Sequence, residues 1–168
     1  FNIFGYKGSG KDTVAAMIDK IYQSYYGGEG VVHASFAAPL KNMLLGMFSP
    51  SLKHENVFGN IEQKETEIDL LISEPLRNAF PFLADKERWT GRLLLQFVGT
   101  EIFREINDDC WVEMLMTYVT SKDGPVTITD CRFPNEYAVL NEPMDCKVVN
   151  IRVVRPGCEG DGHESEKY

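Results

Sequence analysis

The first thirteen residues place a short apolar segment directly before a glycine-rich turn and the start of a helix. The turn, residues 5–11, has the spacing G-x-x-x-x-G-K. Glycines let the backbone bend tightly, so that consecutive N–H groups and the positive end of the following helix point at one anion. The order of strand, glycines, lysine and helix therefore predicts a phosphate-binding loop. The alternative is a glycine turn without a ligand.

The end of this turn supplies charged and hydroxyl groups. Lys11 carries a point charge that can reach the β- and γ-phosphates of a nucleoside triphosphate. Asp12 stands where Ser or Thr usually holds Mg²⁺, and the hydroxyl follows one residue later at Thr13. This displaced ending is more similar to that of nucleoside monophosphate kinases than to that of GTPases. It leaves open whether Thr13 contacts Mg²⁺ directly or through water.

Length and composition favour a single globular domain. The chain has 168 residues, of which 43% are hydrophobic, and this is enough to bury one core. We expect no signal peptide, and the sequence contains no apolar run long enough to cross a membrane. We expect a cytoplasmic protein, in the host cytoplasm if a phage encodes it. Because residue 1 is Phe and the polar stretch 157–168 closes no element, we expect both termini to be trimmed.

Charge and cysteine spacing argue against two function classes. General nucleic-acid binding requires clustered Lys and Arg, whereas the net charge here is −8, so any phosphate site must be a local basic pocket. The cysteines show no C-x-x-C spacing, which indicates neither a zinc site nor a redox pair, and reduced thiols are expected. They are Cys110, Cys131, Cys146 and Cys158.

The order of the next apolar segments predicts a parallel sheet. The first helix ends at Gly27, and residues 31–36 then form a second strand. A strand, helix, strand order implies right-handed crossovers, with ligands at the carboxyl ends of the strands. Pro39 suits the first turn of the following helix and places Lys41 near that edge. Lys41 is a candidate for binding an acceptor phosphate, or else a surface lysine.

Residues 51–88 are the least regular part of the chain. They mix both signs of charge and show no clean periodicity. Their position, after the second strand and before the next strong helix, is where kinases of small molecules carry an acceptor-binding insertion. Two interpretations of this segment stay open. It is either a mostly helical acceptor-binding insertion or lid, or a helical excursion that lies in solvent.

The next strong helical pattern covers residues 89–104 and carries polar side chains along one face. Arg92, Gln96 and Thr100 recur every four residues on that face. An arginine fork binds phosphate through two hydrogen bonds, and a glutamine amide offers both a donor and an acceptor to a base edge. Each of these residues on its own is more often a surface residue than a ligand contact. As an aligned set, they predict contacts with an acceptor nucleotide.

A later apolar strand, residues 125–130, ends in an acid, as a Walker B-like strand does. Asp130 is expected at the same edge of the sheet as the phosphate loop, where a carboxylate can hold Mg²⁺ or its waters. Arg132 and Glu136 follow with the spacing of an i, i+4 pair. Between a local salt bridge and ligand contact, we favour ligand contact.

Two further side chains are candidates with structural alternatives. Trp111 opens a helix capped by an aspartate and is either a core residue or a ring that stacks on a base. Arg155 follows a last strand predicted over residues 147–154. It is placed to lie over the adenine of ATP or against its phosphates.

The combined pattern resembles the bacteriophage-type deoxynucleoside monophosphate kinases, a branch of the P-loop kinases. The resemblance spans nearly the entire chain, except that 51–88 does not match clearly and the family's C-terminal segment does not follow Tyr168. The motifs that carry it are Gly8-Ser9-Gly10-Lys11-Asp12-Thr13, Pro39-Leu40-Lys41, residues 92–100, Trp111-Val112, Asp130-x-Arg132-x-x-x-Glu136 and residues 153–157.

This resemblance implies an α/β, three-layer P-loop NTPase fold with a parallel sheet flanked by helices. It implies transfer of the γ-phosphoryl group of ATP, with Mg²⁺, to a deoxynucleoside monophosphate. No nucleic-acid or membrane partner is expected, and a homodimer is left open. The catalytic residues would be Lys11, Arg92 and Asp130. ATP would be bound by Gly8, Ser9, Gly10, Lys11, Asp12, Thr13 and Arg155, and the metal by Thr13 and Asp130. The substrate would be bound by Phe36, Lys41, Arg92, Gln96, Trp111, Asp130, Arg132 and Glu136.

Two other functions fit the same residues. One is a different small-molecule P-loop kinase, similar to dephospho-coenzyme A kinase, which shares the loop and the Ser-Phe-Ala-x-Pro-Leu-Lys pattern of residues 35–41. The other is a nucleotide-binding module without catalysis. The enzyme similar to dephospho-coenzyme A kinase would convert ATP and an acceptor into products, as a deoxynucleoside monophosphate kinase would. The non-catalytic module would bind ATP without forming a product.

Overall fold

A computed structural model describes residues 1–6, 8–142 and 147–158. Cys146 and the polar tail beyond Cys158 lie outside the described residues. The described part contains six strands, eight α-helices, a 3-10 helix and a π-helical segment. In chain order they are β1 (Asn2–Phe4), α1 (Lys11–Tyr26), β2 (Val32–Ala34), α2 (Ala38–Phe48), α3 (His54–Phe58), α4 (Ile61–Glu65), β3 (Glu67–Leu71), α5 (Glu74–Ala79), the 3-10 helix (Pro81–Leu83), β4 (Arg88–Thr90), α6 (Gly91–Gln96), the π segment (Phe97–Arg104), α7 (Cys110–Thr120), β5 (Val126–Ile128), α8 (Pro134–Leu140) and β6 (Asn150–Arg152).

The chain divides into two compact units. The first combines Phe1–Phe36 with Asp109–Tyr168, and the second is Ala37–Asp108. The predicted insertion, residues 51–88, lies inside the second unit, which extends further along the chain in both directions. Within the described residues, no helix is both long and apolar enough to cross a membrane.

The first unit contains a parallel sheet flanked by helices, so the predicted α/β class is confirmed. The strand order is β2-β5-β1-β6, and every pair is parallel. In the central strand β1, Asn2 and Ile3 point to opposite faces, and both are almost fully buried. Burial on both faces is typical of a parallel sheet covered by helices.

The strands are shorter than the sequence pattern suggests. Residues 31–36 and 147–154 were predicted as strands, but only Val32–Ala34 and Asn150–Arg152 pair. Strand β2 pairs with β5 alone, and that partner ends at Ile128. The apolar residues beside β2 are still buried, since Val31 is 5% exposed and Phe36 3%, whereas Val149 and Val154 beside β6 are 37% and 76% exposed. At β2, burial therefore extends beyond the hydrogen-bonded ladder.

Helix α1 has the ends that the glycines predicted. Gly10 precedes it with a φ of 101°, and Gly27 follows it with a φ of 68°. Both angles lie in the left-handed region that favours glycine. The carboxylate of Asp19 accepts a hydrogen bond from the backbone N–H of Val31 at 2.8 Å, which ties the helix to the start of β2.

The second unit is mostly helical and includes the antiparallel pair β3-β4. Its aromatic core centres on Phe97, whose ring lies 4.9 Å from that of Phe80 and 5.3 Å from that of Trp89. The helix predicted over 89–104 does not run uniformly. It begins as α6 and continues as a π-helical segment from Phe97, with hydrogen bonds that span five residues instead of four.

Helix α6 starts in direct contact with the backbone of α3, and this contact yields a stability prediction. A Cβ at Gly91 would overlap the carbonyl oxygen of Asn56 and lie 2.7 Å from its carbonyl carbon. We expect Gly91→Ala to lower the free energy of unfolding by about 1–3 kcal/mol, because backbone atoms must move. Chemical denaturation measures the change.

Gly46 is the matched control, since it is an exposed glycine in α2 and nothing lies within 4 Å of an added Cβ. Gly46→Ala should raise the free energy of unfolding by up to about 1 kcal/mol through helix propensity. Equal effects of the two substitutions would contradict the contact between α6 and α3.

Candidate functional site

The glycine-rich loop joins β1 to α1 at the carboxyl edge of the sheet. Gly5, Gly8 and Gly10 have φ angles of 146°, 77° and 101°. Residues with a Cβ rarely adopt these conformations, so the glycine spacing in the sequence follows from the backbone path. The carbonyl of Tyr6 accepts a hydrogen bond from the N–H of Ser9 at 3.1 Å, which closes the turn. Lys7 lies outside the described residues.

Lys11 folds back over this loop. Its Nζ donates hydrogen bonds to the carbonyl oxygens of Gly5 and Tyr6, at 2.7 and 2.8 Å. These are the distances of charge-assisted hydrogen bonds. The two carbonyl oxygens thus occupy positions around the ammonium group that phosphate oxygens can take.

The start of α1 offers further donors to an anion. Helix α1 has 16 residues, and the first N–H groups of a helix have no partner within it. Gly10, at the cap position, has no side chain to satisfy them. Ser9 is only 6% exposed, and its buried Oγ has no hydrogen-bond partner in the described part of the chain. An unsatisfied buried hydroxyl costs about 1–3 kcal/mol, and a ligand oxygen at the loop would remove that cost.

Asp130 lies two residues beyond β5, at the edge predicted for it. One carboxylate oxygen accepts a hydrogen bond from Ser35 Oγ at 2.6 Å, and the other accepts from the backbone N–H of Phe36 at 2.9 Å. These bonds fix the carboxylate at the end of β2.

The residues in this unit suit a cation that keeps most of its water. No group of three or more His, Cys, Asp or Glu side chains in the described residues is arranged to enclose a metal. Mg²⁺ is usually held by one or two carboxylates together with waters and substrate phosphates. The carboxylate of Asp130 and the hydroxyl of Thr13 supply oxygens of the kind that Mg²⁺ prefers, and their binding of Mg²⁺ stays a prediction. They do not fit a closed protein cage.

The Glu136 carboxylate binds backbone N–H groups, which neither a salt bridge nor a ligand contact predicted. The residue is 3% exposed, and its Oε2 accepts hydrogen bonds from the backbone N–H groups of Arg132 and Phe133, at 2.7 and 3.2 Å. The carboxylate thereby holds the loop that precedes α8. Its contact with Arg132 involves the backbone, so the i, i+4 spacing has a local explanation. Recognition of a nucleoside by Arg132 and Glu136 stays a prediction.

A cavity of about 330 Å³ lies beside the glycine loop, within the first unit. Its wall combines aromatic rings with guanidinium groups, a combination that suits a flat ligand with negative charge. The residues concerned are Phe4, Tyr6, Phe133, Tyr137, Arg132, Arg152 and Arg155. Arg155 also approaches the loop, since its Nη1 donates to the carbonyl oxygen of Gly8 at 3.4 Å.

Sequence reasoning missed most of this wall. The rings of Phe4 and Tyr137 meet edge to face, with centroids 5.9 Å apart. Phe4 ends β1 and Tyr137 lies in α8. Their one sequence signal is position, since Phe4 is the last residue of the first strand and Tyr137 directly follows Glu136. Nothing in the local pattern indicates that the two segments meet.

Cys131 also lines the cavity, and it is inert at neutral pH. Burial, and then the negative charge of Glu136, raise the pKa of its thiol from 9.0 to about 12. The thiolate is the nucleophilic form of cysteine, so this side chain acts as an apolar wall.

The raised pKa of Cys131 predicts a pH effect on stability. Below pH 9 the thiol is protonated in both the folded and the unfolded chain, so its contribution is fully present. Between pH 9.0 and about 12 the unfolded chain loses this proton first, and stability falls by up to about 1.4 kcal/mol per pH unit. Denaturation from pH 8 to 10.5 should show a shallower fall for Cys131→Ala than for the parent.

Cys158→Ala is the control for loss of a thiol, because Cys158 is less buried and lines the same cavity. A fall for Cys158→Ala as shallow as that of Cys131→Ala would show that loss of any thiol causes the change. Parallel slopes for the parent and Cys131→Ala would rule out the buried thiol as the cause.

The second unit holds the other predicted cations, and each already has a partner. Arg92 forms an ion pair with Glu65, with 3.3 Å between Nε and Oε1. The Nζ of Lys41 lies over the ring of Phe58, 5.0 Å from its centroid. Both contacts are weak, since a half-exposed ion pair or a cation–π contact contributes about 1 kcal/mol or less to the free energy of unfolding.

The predicted line of Arg92, Gln96 and Thr100 is only partly present. Gln96 is the last residue of α6, one helical turn after Arg92. Thr100 lies in the π segment, where residues five apart come into line, so it is displaced from the face that the other two share. The expected three-residue face therefore shortens to two.

Two aromatic side chains predicted to bind substrate are buried in the first unit. Phe36 is 3% exposed and Trp111 is 6% exposed. For Trp111 this burial favours the core alternative. A contact between either ring and a base stays a prediction.

No protein-family model matches this chain, and a search of curated proteins found no match. Function must therefore be argued from the loop, the cavity and the charged side chains described above.

Proposed function

We propose that this chain is a P-loop kinase that transfers the γ-phosphoryl group of ATP to a deoxynucleoside monophosphate. The observation that carries the proposal is the arrangement around Lys11. Three glycines with positive φ precede a long helix, and the lysine Nζ lies over the loop between two oxygens. A backbone that bends in this way presents N–H groups to phosphate, and the lysine neutralises the charge that collects there.

The strand order supports a three-layer P-loop NTPase fold. The connection from β1 to β2 runs in one direction along the sheet, whereas the connection from β5 to β6 runs in the opposite direction. Right-handed crossovers in opposite directions put α1 on one face of the sheet and α8 on the other. The glycine loop then lies where the strand order reverses, which is where open parallel sheets bind their ligands.

The first unit is proposed to bind ATP. The amides of residues 8–13 and the Lys11 side chain would hold the β- and γ-phosphates, and Arg155 with the adjacent cavity would take the adenosine. Mg²⁺ would be held by Thr13 and Asp130, directly or through water, and supplies positive charge between the phosphates when bound. Ser35 keeps the Asp130 carboxylate oriented for this role.

The second unit is proposed to bind the acceptor. Arg92 offers a guanidinium fork to the acceptor phosphate, Lys41 adds a second positive charge, and the amide of Gln96 can pair with a base edge. Residues 51–88 lie inside this unit and would serve as a lid. Arg132 and Glu136, at the end of β5, are the nucleoside contacts that the resemblance implies.

The chemistry needs positioning and charge more than proton transfer. Donor and acceptor both carry negative phosphates, so the protein must hold them in line and neutralise the oxygens of the group in transit. The acceptor phosphate is already an anion, so no general base is required. Closure of residues 51–88 would exclude water that could otherwise hydrolyse ATP.

Removal of the Lys11 ammonium tests the central assignment. Lys11→Ala should lower the rate of ADP and deoxynucleoside diphosphate formation about 100-fold or more, because a charge aimed at the transferring phosphate is lost. Chromatography of a reaction with ATP, Mg²⁺ and thymidine monophosphate measures both products.

Lys20→Ala is the control, since Lys20 is an exposed lysine on the same helix. It should leave the rate unchanged. Activity of Lys11→Ala within a few-fold of the parent would remove the basis of the proposal. ATP binding without any product would indicate a non-catalytic module, and preference for dephospho-coenzyme A in a panel of acceptors would indicate the other kinase.

The acceptor assignment predicts a selective defect. Arg92→Ala should raise KM for the monophosphate or lower kcat, about 10- to 100-fold in kcat/KM, since a hydrogen-bonded charge is worth roughly 1.5–3 kcal/mol. The Kd for ATP, measured by titration calorimetry, should not change. Arg88→Ala is the control, because it also removes an arginine charge from the second unit, but from a pair with the exposed Asp69 at 2.7 Å. It should change kcat/KM for the monophosphate less than Arg92→Ala does. A defect confined to ATP would reverse the assignment.

A further inference from the structure

Arg92 is held less tightly than Arg88 and Arg104, two other arginines of the second unit. Arg88 and Arg104 each donate a hydrogen bond through Nη1 to a carboxylate, at 2.7 Å to Asp69 and 3.1 Å to Asp108. The pair between Arg92 and Glu65 measures 3.3 Å, and the buried Nε makes no hydrogen bond within the described residues. Strong arginine–carboxylate pairs are shorter and use two parallel hydrogen bonds. Glu65 therefore balances the charge of Arg92 without satisfying its fork.

The exposure of the two side chains suits exchange of one anion for another. The Arg92 side chain is 22% exposed, so it is shielded from water on most sides, and the Glu65 side chain is 49% exposed. Glu65 is the last residue of α4 and precedes Thr66, the residue that ends the helix. Because half of the Glu65 side chain is in contact with water, burial opposes rotation of its carboxylate away from Arg92 only weakly. A phosphate can then take its place.

We propose that Glu65 is a competitive latch, meaning a carboxylate that occupies Arg92 in the ligand-free protein and is displaced by the phosphate of the acceptor. This inference rests on the proposed function for the identity of the acceptor. A phosphate monoester carries more negative charge than a carboxylate and offers oxygens in the geometry that matches the guanidinium fork.

The latch makes a different prediction from a structural salt bridge. If the pair served stability, loss of Glu65 would destabilise the second unit and weaken ligand binding. A half-exposed pair contributes little to stability, so Glu65→Gln should unfold at nearly the denaturant concentration of the parent. Removal of the competitor should instead tighten the binding of an oxyanion.

Titration calorimetry with thymidine monophosphate and, separately, with inorganic phosphate tests the latch. For Glu65→Gln, we expect Kd to fall about two- to fivefold for both ligands, the factor that corresponds to a half-exposed ion pair. Glu62→Gln removes the same charge from an exposed position of the same helix and should leave Kd unchanged. In an Arg92→Ala background, Glu65→Gln should have no effect.

Several results would overturn the latch. If Kd for Glu65→Gln is unchanged or larger, the Glu65 carboxylate does not compete with the ligand for Arg92. If Kd falls equally in Glu62→Gln, the cause is the loss of one negative charge and not the loss of the Arg92 pair. Absence of phosphate binding by every variant shows that Arg92 takes no oxyanion. Failure of the proposed function is recognised separately. In that case no nucleotide is phosphorylated, while tighter inorganic phosphate binding by Glu65→Gln still supports the latch.

Discussion

The close approach of the Gly5 backbone to the Val153 carbonyl determines the path of the glycine loop. Gly5 follows β1 and Val153 follows β6, so this contact decides where the loop leaves the sheet. A Cβ at Gly5 would overlap the Val153 oxygen and approach Ser9 Oγ to 3.0 Å. The carbonyl oxygen of Gly5 accepts a hydrogen bond from Lys11 Nζ. Both Gly5 and Val153 line the adjacent cavity. The lysine and the cavity therefore depend on one backbone contact that only glycine allows.

Two candidate cations are held by oxygens of the protein, but by oxygens of different kinds. Lys11 donates hydrogen bonds to the backbone carbonyls of Gly5 and Tyr6, and Arg92 forms an ion pair with the carboxylate of Glu65. A neutral carbonyl oxygen competes weakly with a phosphate for a cation, and a carboxylate competes more strongly, because the Coulomb attraction is larger for a charged group. Within the proposed function, the acceptor phosphate must therefore displace Glu65 from Arg92.

Local signals in the sequence predicted the elements that depend on one or two residues. Gly10 and Gly27 mark the ends of α1, and Pro39 lies in the first turn of α2. These positions are readable because glycine and proline restrict the backbone wherever they occur. The same reasoning missed the π segment after Gln96, since its hydrogen-bond pattern departs from the regular helical period that the apolar residues indicate.

The sequence by itself determined the class of the first unit and the conformation of the loop, because strand and helix order and glycine spacing act through the local backbone. It also placed Asp130 at the end of a strand. The tertiary structure alone decided which partner each charged group has. Glu136 binds backbone N–H groups, Asp130 binds Ser35, and Arg92 meets Glu65. Apart from the Glu136 contact, these pairs join segments far apart in the chain, and no local pattern of residue types specifies which distant segments will meet.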